Sequence, residues 1–263
     1  MNAFKKGTVA LLDRVLPRRT KEALFHLSYH LAPLEFRRFA YHYGYAPDME
    51  LGLEAIAGRG FAPRTVVDVG AYEGGWSRIA RRLWPATRLI MIEANEEKQP
   101  VLRIAAHELG ATLHCALLGA QAGRHVDFNV MGSGSSVLGE RSPLERRVER
   151  RTLETLDQLL PPGIGSGLLK IDAQGYELEI LRGATRSLGA FEAVLLEIAL
   201  IEINPGAPLL HEVVAYMKER GYVAYDILEM HRRPLDQALN QIDIIFLRQH
   251  SPLLADKRHF SCA

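Results

Sequence analysis

Residues 65–77 read Thr-Val-Val-Asp-Val-Gly-Ala-Tyr-Glu-Gly-Gly-Trp-Ser, and this stretch decides the fold. A run rich in β-branched residues is typical of a strand that is buried on both faces of a parallel sheet. The glycines that follow permit a tight turn and a close approach of the main chain to a ligand. A helix that begins near Trp76 would direct its N-terminal N–H groups at the same position. The stretch therefore predicts a strand, a ligand-binding turn and a helix.

The chain beyond this stretch repeats the alternation of strands and helices. Pro100 lies in the first turn of one predicted helix. The other predicted elements are strands at 65–69, 88–92, 111–116, 167–171, 192–198, 222–227 and 242–247, and helices at 76–83, 175–188 and 208–220. This alternation favours an α/β fold that is doubly wound around a mostly parallel seven-stranded sheet. The last two strands are separated by a loop rather than by a crossover helix, so they are expected to pair antiparallel.

Turn residues divide the chain into parts. Residues 1–62 are predicted to form an N-terminal helical cap, because a loop that contains glycine and proline precedes the first strand. Residues 63–250 are predicted to form the main domain, with a hairpin insertion at about residues 119–152. Residues 251–263 are expected to form a loose C-terminal tail.

The N-terminal part carries two further patterns. Residues 4–22 combine apolar and basic side chains in an amphipathic pattern. Such a helix could pack on the body, join a second copy in a homodimer, or touch an anionic membrane surface. The aromatic cluster of Tyr41, His42, Tyr43 and Tyr45 suits either an acceptor pocket or an ordinary interior contact.

Composition excludes several classes of protein. The 263 residues are 48% hydrophobic and 24% charged, with a net charge of +1, which is ordinary for a globular domain and gives no reason to expect nucleic-acid binding. No apolar run reaches the roughly 20 residues of a membrane span. The two cysteines match no metal-ligand spacing, so a soluble protein of the reducing cytoplasm is expected.

The spacing of the first turn selects its ligand. Gly70 and Gly74 are separated by three other residues, so the turn lacks the middle glycine with which a dinucleotide-binding turn admits a pyrophosphate. Glu93 ends the second strand roughly 20 residues after the turn, where doubly wound folds have a ribose-binding carboxylate. Both features favour a nucleoside ligand over NAD.

These residues resemble the donor-binding motifs of class I S-adenosylmethionine-dependent methyltransferases. The resemblance implies S-adenosyl-L-methionine as the methyl donor. It assigns to the donor site the residues Asp68, Gly70, Ala71, Tyr72, Glu73, Gly74, Ser77, Glu93, Ala94, Asn95, Ala116, Leu117 and Asp172. Glu73 departs from the small or polar residue of many relatives, so it either meets the ammonium group of the donor or faces solvent.

A second motif lies at residues 168–183, which read Leu-Leu-Lys-Ile-Asp-Ala-Gln-Gly-Tyr-Glu-Leu-Glu-Ile-Leu-Arg-Gly. Together with Thr-Leu-Asp at residues 155–157, its Lys-Ile-Asp-x-Gln-Gly-x-Glu pattern resembles the signature of the FkbM family of methyltransferases. The resemblance covers about residues 65–248. It implies methyl transfer to a hydroxyl oxygen of a saccharide or natural-product acceptor.

Methyl transfer needs an aligned acceptor and a group that takes the proton of its hydroxyl. Asp172 follows a central strand and is the first candidate for this role, with Lys170 on the same strand face. Glu197 ends the neighbouring strand, and two carboxylates at adjacent strand ends would suit Mg²⁺. The alternative is that both carboxylates are structural. His211 and His231 are further candidate bases, because histidine titrates in the useful range.

Two alternatives to a methyltransferase remain open. An NAD-dependent dehydrogenase would need the dinucleotide spacing and a Tyr-x-x-x-Lys catalytic pair, and neither is recognisable. A non-catalytic binding protein could keep this fold without turnover, although the glycines, Glu93 and Asp172 are intact. Protection against heat by S-adenosylhomocysteine or by NAD would separate the two enzymes.

Overall fold

The computed structural model describes Thr20, residues 34–44 and residues 46–260. Apart from Thr20, the amphipathic pattern at residues 4–22 lies outside the described residues, and so does Tyr45. The homodimer and membrane hypotheses that depend on this pattern therefore stay predictions. In the described part of the chain, no helix has the length and apolar character needed to cross a membrane.

The chain divides into two units, and the division falls earlier than the sequence predicts. The first unit ends at Ala46 and contains helix α1 (Leu34–Gly44). The second unit begins at Pro47, and its first helix, α2 (Met49–Gly58), buries Leu53 completely in the same apolar cluster as part of the first strand. An apolar helix face needs such a partner. Residues 47–62 therefore belong to the second unit, and the predicted N-terminal cap stays a prediction.

The second unit is built of alternating strands and helices. After α2 its elements are β1 (Thr65–Val69), α3 (Gly75–Leu83), β2 (Arg88–Glu93), α4 (Gln99–Leu109), β3 (Thr112–Cys115), β4 (Leu117–Leu118), β5 (His125–Val130), β6 (Arg147–Glu154), α5 (Leu156–Leu159), β7 (Gly167–Ile171), α6 (Glu177–Arg182), β8 (Phe191–Ala199), α7 (Leu210–Glu219), β9 (Tyr222–Arg232) and β10 (Leu239–Arg248). Within the described residues, seven of these strands form one sheet with the order β3-β2-β1-β7-β8-β10-β9. Strand β10 runs antiparallel to both β8 and β9, while the other paired strands of this sheet are parallel. The predicted doubly wound, mostly parallel fold is confirmed.

Strand β1 lies between β2 and β7 inside the sheet and is buried along its whole length. Val67 and Val69 belong to one apolar cluster and Val66 to the other, as the two-residue period of a strand requires. On the neighbouring strand β7, Lys170 lies opposite Asp68, so the sheet centre also holds a pair of opposite charges. This pair stands next to the carboxyl ends of the strands, where open α/β sheets bind their ligands.

The insertion at residues 119–152 contributes to a second, three-stranded sheet of order β4-β6-β5. Strands β5 and β6 pair antiparallel. One face of this small sheet is apolar and forms its own cluster, which includes Leu117, Phe128 and Leu153. Ala94, which follows β2, packs against the same cluster. The insertion therefore forms a wall beside the carboxyl end of β2.

Helix α6 is much shorter than the predicted helix at 175–188. It ends at Arg182, because Asp157 holds the following segment in a turn. The carboxylate of Asp157 accepts hydrogen bonds from the main-chain N–H groups of Arg186 and Ser187, both at 2.9 Å. A Cβ atom on Gly183 would also lie 2.1 Å from a main-chain oxygen of a neighbouring loop. Tertiary contacts thus override the helical pattern.

The chain after β10 is packed rather than loose at its beginning. Ser251 is buried, and its hydroxyl caps the short 3₁₀ helix Pro252–Leu254. Leu253 and Leu254 pack against the apolar cluster that also contains part of β1. Strand β9 extends five residues beyond its predicted end at residue 227, to Arg232. This extension carries His231 towards the edge of the sheet where the first turn lies.

Candidate active site

The turn after β1 requires glycine at its first position. Gly70 has a φ of +75°, and a Cβ atom there would lie 2.0 Å from the main-chain oxygen of Asp172. The N–H groups of Gly70 and Ala71 donate to the main-chain oxygen of Ile92 at 3.0 and 3.1 Å. Tyr72 is held at a φ of +48°, a conformation that non-glycine residues rarely adopt outside constrained sites. The turn is therefore fixed to the ends of both neighbouring strands.

Glu93 fastens this turn to β2 with its side chain. One carboxylate oxygen accepts the N–H of Tyr72 at 2.8 Å, and the other accepts the N–H of Asn95 at 2.7 Å. Burial raises the pKa of Glu93 above its ordinary value, although both main-chain donors oppose this effect. The carboxylate is thus pre-oriented by main-chain groups at the carboxyl end of β2.

A cleft opens between the turn, the end of β2 and the insertion. It contains about 780 Å³ of empty space, part of it open to solvent. We call it the first cavity. It is lined by Val69, Gly70, Tyr72, Ile92, Glu93, Ala94, Ala116, Leu117, Leu118, Phe128, Gly132, Ser133, Ser135, Ser136, Val137, Asp172, Ala173, Tyr176 and Ile180.

The structure brings about half of the predicted donor-site residues to this cavity. Those that line it are Gly70, Tyr72, Glu93, Ala94, Ala116, Leu117 and Asp172. Those outside its lining are Asp68, Ala71, Glu73, Gly74, Ser77 and Asn95. Within the second group, Asp68 and Ser77 support the turn from below.

Asp68 and Ser77 lie beneath the turn and are fully buried. The Ser77 hydroxyl donates to one oxygen of Asp68 at 2.7 Å, and Lys170 Nζ lies 3.3 Å from the other. Lys170 Nζ also donates to the main-chain oxygen of Gly70 at 3.2 Å and lies 3.4 Å from Asp172 Oδ2. Burial lowers the pKa of Lys170, but the two carboxylates outweigh it and raise the pKa above its ordinary value. Lys170 is therefore a fixed positive charge below the turn.

Glu73 pairs with a side chain outside the cavity. Lys98 Nζ lies 2.6 Å from its carboxylate and donates to the Tyr72 hydroxyl at 2.9 Å. The same ammonium group lies 4.1 Å from the centre of the Tyr72 ring, in a cation–π contact. Of the two expectations for Glu73, the structure favours the solvent-facing one, since half of its side chain is exposed.

The turn after β7, residues 172–175, is held by two side chains. Glu177 Oε1 accepts the N–H groups of Ala173 at 2.9 Å and Gly175 at 3.1 Å, and burial raises the pKa of Glu177 to about 7. The hydroxyl of Ser136 donates to the main-chain oxygens of Ala173 at 3.2 Å and Gln174 at 3.1 Å. Gln174 has a φ of +52°. The hydrogen bonds made by Glu177 and Ser136 hold the turn in this rarely adopted conformation.

Gln174 stands between the two carboxylates that were expected to bind Mg²⁺. Its amide Nε2 donates to Asp172 Oδ1 at 3.1 Å and to Glu197 Oε2 at 2.7 Å. Burial, followed by the nearby charges of Asp172 and Asp243, raises the pKa of Glu197 well above its ordinary value. An amide hydrogen-bond donor therefore occupies the position that the cation would need.

A second cleft opens on the other side of this turn, with about 710 Å³ of empty space. We call it the second cavity. It is lined by Glu140, Gln174, Glu197, Ile203, Asn204, His231, Arg232, Arg233, Pro234, Asn240 and Gln241. Amide, carboxylate and basic side chains predominate in this lining, whereas apolar residues form much of the first cavity.

Three carboxylates lie in register across neighbouring strands beside the second cavity. Asp243 of β10 is opposite Glu197 of β8 and opposite Glu229 of β9. Like charges on directly opposite residues destabilise a sheet, and burial raises the pKa of all three groups. His231 Nε2 lies 2.9 Å from Asp243 Oδ2, and this hydrogen bond raises the pKa of His231. Such perturbed groups next to a cleft indicate a functional site.

His211 is not part of this arrangement. It lies exposed in the first turn of α7 and lines neither cavity. Sequence reasoning also omitted side chains that do line them, notably Ser133, Ser136, Asn204 and Asn240. The glycine and serine composition of residues 132–136 is a signal that could have found the serines. No local signal marks the two asparagines.

Comparison with known proteins yields one family and several similar structures. A family model described as the methyltransferase FkbM domain matches residues 68–224. Among solved structures, a methyltransferase FkbM from Methylobacillus flagellatus KT is 16% identical to this chain, with a TM-score of 0.45. The match covers 69% of this chain and 43% of the other protein, so this chain spans less than half of the length of that relative.

Two other solved structures are similar to this chain over most of their length. The magnesium protoporphyrin IX methyltransferase from Synechocystis PCC 6803, solved with bound SAM, is 10% identical with a TM-score of 0.45, and the match covers 76% of this chain and 77% of that one. The precorrin-6y C5,15-methyltransferase from Geobacter metallireducens is 15% identical with a TM-score of 0.43, over 75% of this chain and 86% of that one. No curated protein matches the sequence.

Proposed function

The chain belongs to the FkbM family of methyltransferases, which implies S-adenosylmethionine as its methyl donor, and we propose that it methylates a hydroxyl oxygen of a saccharide or natural-product acceptor. The observation that carries this proposal is a pair of cavities on either side of one turn. Asp172 lines the first cavity and Gln174 lines the second, and their side chains are hydrogen-bonded at 3.1 Å. A donor in the first cavity and an acceptor in the second would meet at this turn.

The lining of the first cavity suits the chemistry of the donor. Apolar side chains such as Leu117 and Phe128 offer a surface for the adenine ring. Glu93, held by two main-chain N–H groups, offers carboxylate oxygens to the ribose hydroxyls. The donor supplies a methyl group on a positively charged sulfur, and Asp172 offers that charge a carboxylate at the cavity wall.

The second cavity fits an acceptor with several hydroxyl groups. Amide side chains from Gln174, Asn204, Asn240 and Gln241 line it, together with carboxylates and arginines. These groups can both donate and accept hydrogen bonds, as a polyhydroxylated ligand requires. An apolar acceptor would leave them unpaired, at a cost of about 1–3 kcal/mol for each buried group.

Asp172 and Lys170 are better suited to alignment than to proton transfer. The two carboxylate oxygens of Asp172 are engaged by Lys170 Nζ and by Gln174 Nε2. Lys170 is held between Asp172 and Asp68. We assign to this chain of contacts the task of fixing the distance between the two reactants, which methyl transfer demands.

The proposal is tested by ligand binding and by turnover. S-adenosylhomocysteine at 100 times its Kd should raise the free energy of unfolding by about 2.7 kcal/mol, and NAD should leave it unchanged. Radiolabelled methyl groups should then pass from the donor to p-nitrophenyl glycosides of rhamnose, fucose or mannose. Stabilisation by NAD and not by S-adenosylhomocysteine would contradict the proposal.

The variant Asp172→Ala separates alignment from folding. We expect it to retain the wild-type melting temperature within a few degrees and to lose transfer by roughly 100-fold, because misplaced reactants cost about that factor. Glu73→Gln, on the solvent side of the donor turn, is the matched control and should transfer at the wild-type rate. Transfer unaffected in Asp172→Ala would show that Asp172 does not align the reactants.

A further inference from the structure

His231 and Asp243 form a hydrogen-bonded pair at the wall of the second cavity. His231 Nε2 and Asp243 Oδ2 are 2.9 Å apart. The side chain of Asp243 is only 9% exposed, whereas His231 keeps 38% of its side chain exposed and lines the cavity. We propose that His231 is the catalytic base that takes the proton from the acceptor hydroxyl, and that Asp243 is the positioning residue that orients it. This inference rests on the proposed methyl transfer.

The competing carboxylates are less suited to this task. Asp172 shares its oxygens between Lys170 and Gln174. Glu197 accepts the amide of Gln174 at 2.7 Å, and burial favours its protonated form. Asp243 engages one ring nitrogen of His231, and within the described residues no hydrogen bond engages the other, which can therefore accept a proton. A base held by a third group in this way is the usual arrangement for activating a hydroxyl.

The tautomer follows from the hydrogen bond. A carboxylate only accepts, so Nε2 of His231 carries the hydrogen that points to Asp243, and Nδ1 keeps its lone pair. The acceptor O–H proton passes to Nδ1 as the oxygen forms a bond to the methyl carbon. The bond from that carbon to sulfur breaks, and its electron pair stays on sulfur, which becomes neutral. The imidazolium that results is stabilised by Asp243.

The pH dependence has a defined sign. His231 faces carboxylates from three elements: Asp243 on β10, Glu229 on its own strand β9, and Asp172 after β7. The hydrogen bond to Asp243 raises the pKa of His231, burial opposes it, and the carboxylates add to the rise. The base is active when neutral, so transfer should increase with pH up to a plateau above a pKa that is higher than 6.5. The charged groups that line the same cavity are Glu140, Glu197, Arg232 and Arg233.

Asn240 supplies an independent indication of a hydroxyl-bearing ligand. The residue is 6% exposed and lines the second cavity. Within the described residues, its Oδ1 accepts no hydrogen bond, while its amide nitrogen donates to Gln241 at 3.1 Å. A buried acceptor without a donor is costly unless a ligand supplies one. An acceptor with a second hydroxyl near the methylated one, as in a saccharide, would supply it.

The test compares His231→Gln and Asp243→Asn with His250→Gln, a substitution of an exposed histidine outside both cavities. The assay follows kcat/KM for p-nitrophenyl rhamnoside, fucoside and mannoside between pH 5 and 9, and NMR follows the titration of His231. We expect His231→Gln to lose at least 100-fold of kcat/KM and the rising limb of the profile. Asp243→Asn should shift both the limb and the NMR pKa of His231 to lower pH. His250→Gln should match the wild type.

The outcomes separate this inference from the proposed function. Absence of S-adenosylhomocysteine binding by the wild type would overturn both. If the wild type binds S-adenosylhomocysteine and methylates a glycoside, a His231→Gln variant with the wild-type pH profile would show that His231 is not the catalytic base. If the wild type binds S-adenosylhomocysteine but methylates none of the glycosides, the NMR titration decides. The same His231 pKa in the wild type and in Asp243→Asn would show that Asp243 does not orient His231.

Discussion

The two cavities differ in how the chain builds them. The first is organised around the turn after β1, whose main-chain N–H groups bind Ile92 and the carboxylate of Glu93, and residues of the insertion and of the segment after β7 complete its lining. The second takes Glu140, Gln174, Glu197 and His231 from four separate segments, and its character comes from side chains. A site made of main chain tolerates change in side chains and depends on glycine. A site made of side chains is free to change its ligand while the fold is kept.

The largest expected effect concerns glycine in the first cavity. Gly70→Ala would place a Cβ atom 2.0 Å from a main-chain oxygen at a φ of +75°, so we expect a loss of about 3 kcal/mol or more in the free energy of unfolding. Gly123→Ala is the matched control, because Gly123 has a φ of +79° with nothing within 4 Å of the added atom. It should cost about 1–2 kcal/mol. Equal losses, measured by urea unfolding, would contradict a close approach at Gly70.

Glu177, which holds the turn at residues 172–175 between the two cavities, should make the stability of the protein depend on pH. Its pKa is raised from 4.5 to about 7, so the folded state binds more protons than the unfolded state in this interval, and stability falls as pH rises. Glu177→Gln removes this loss. The free energy of unfolding of the variant should exceed that of the wild type by up to about 3 kcal/mol above pH 7, because each pKa unit is worth about 1.4 kcal/mol. Near pH 4 the two free energies should be equal. Glu179→Gln, on the same helix, is the control, and a difference independent of pH would rule out Glu177 as the cause.

Glu93 tests whether the first cavity binds a ribose. Glu93→Gln keeps an acceptor for the N–H groups of Tyr72 and Asn95 but removes the charge, so affinity for S-adenosylhomocysteine should fall about 10-fold. Glu96→Gln, whose carboxylate pairs on the surface with Arg151 at 3.2 Å, should leave affinity unchanged. Calorimetry measures both. Equal affinities of the two variants would remove Glu93 from the ligand site.

The smallest expected effect lies on the solvent side of the donor turn. Lys98→Met removes the ion pair with Glu73 and the contact with Tyr72, but exposed ion pairs contribute only about 0–1 kcal/mol. Affinity for S-adenosylhomocysteine should change less than about 3-fold, and less still in 1 M salt. A loss of more than 10-fold would show that Lys98 contacts the ligand.

The sequence predicts the first cavity far better than the second. Gly70, Tyr72 and Glu93 stand in a local motif whose spacing alone indicates the strand, the turn and the type of ligand. Asp68 and Ser77 belong to the same motif, but the structure buries them beneath the turn, because strand β1 is buried along its whole length and the helix that carries Ser77 packs against it. Local spacing therefore identifies the motif, but it does not show which of its residues line the cavity and which lie beneath the turn.

The second cavity depends on pairings between distant segments. His231 meets Asp243 only because β10 lies between β8 and β9, and because β9 continues to Arg232. The sequence offers ten histidines, and nothing local distinguishes His231 from His211. The Mg²⁺ hypothesis failed to anticipate Gln174 for a related reason, since its positive φ turns the amide between the two carboxylates.

The position of S-adenosylhomocysteine in a crystal structure of the complex would test the two-cavity arrangement most directly. We expect the adenosine in the first cavity, with a ribose oxygen within about 3.2 Å of the Glu93 carboxylate and the sulfur beside the turn of Asp172 and Gln174. The second cavity would remain free for an acceptor, within reach of His231. Adenosine in the second cavity, or sulfur remote from this turn, would contradict the arrangement.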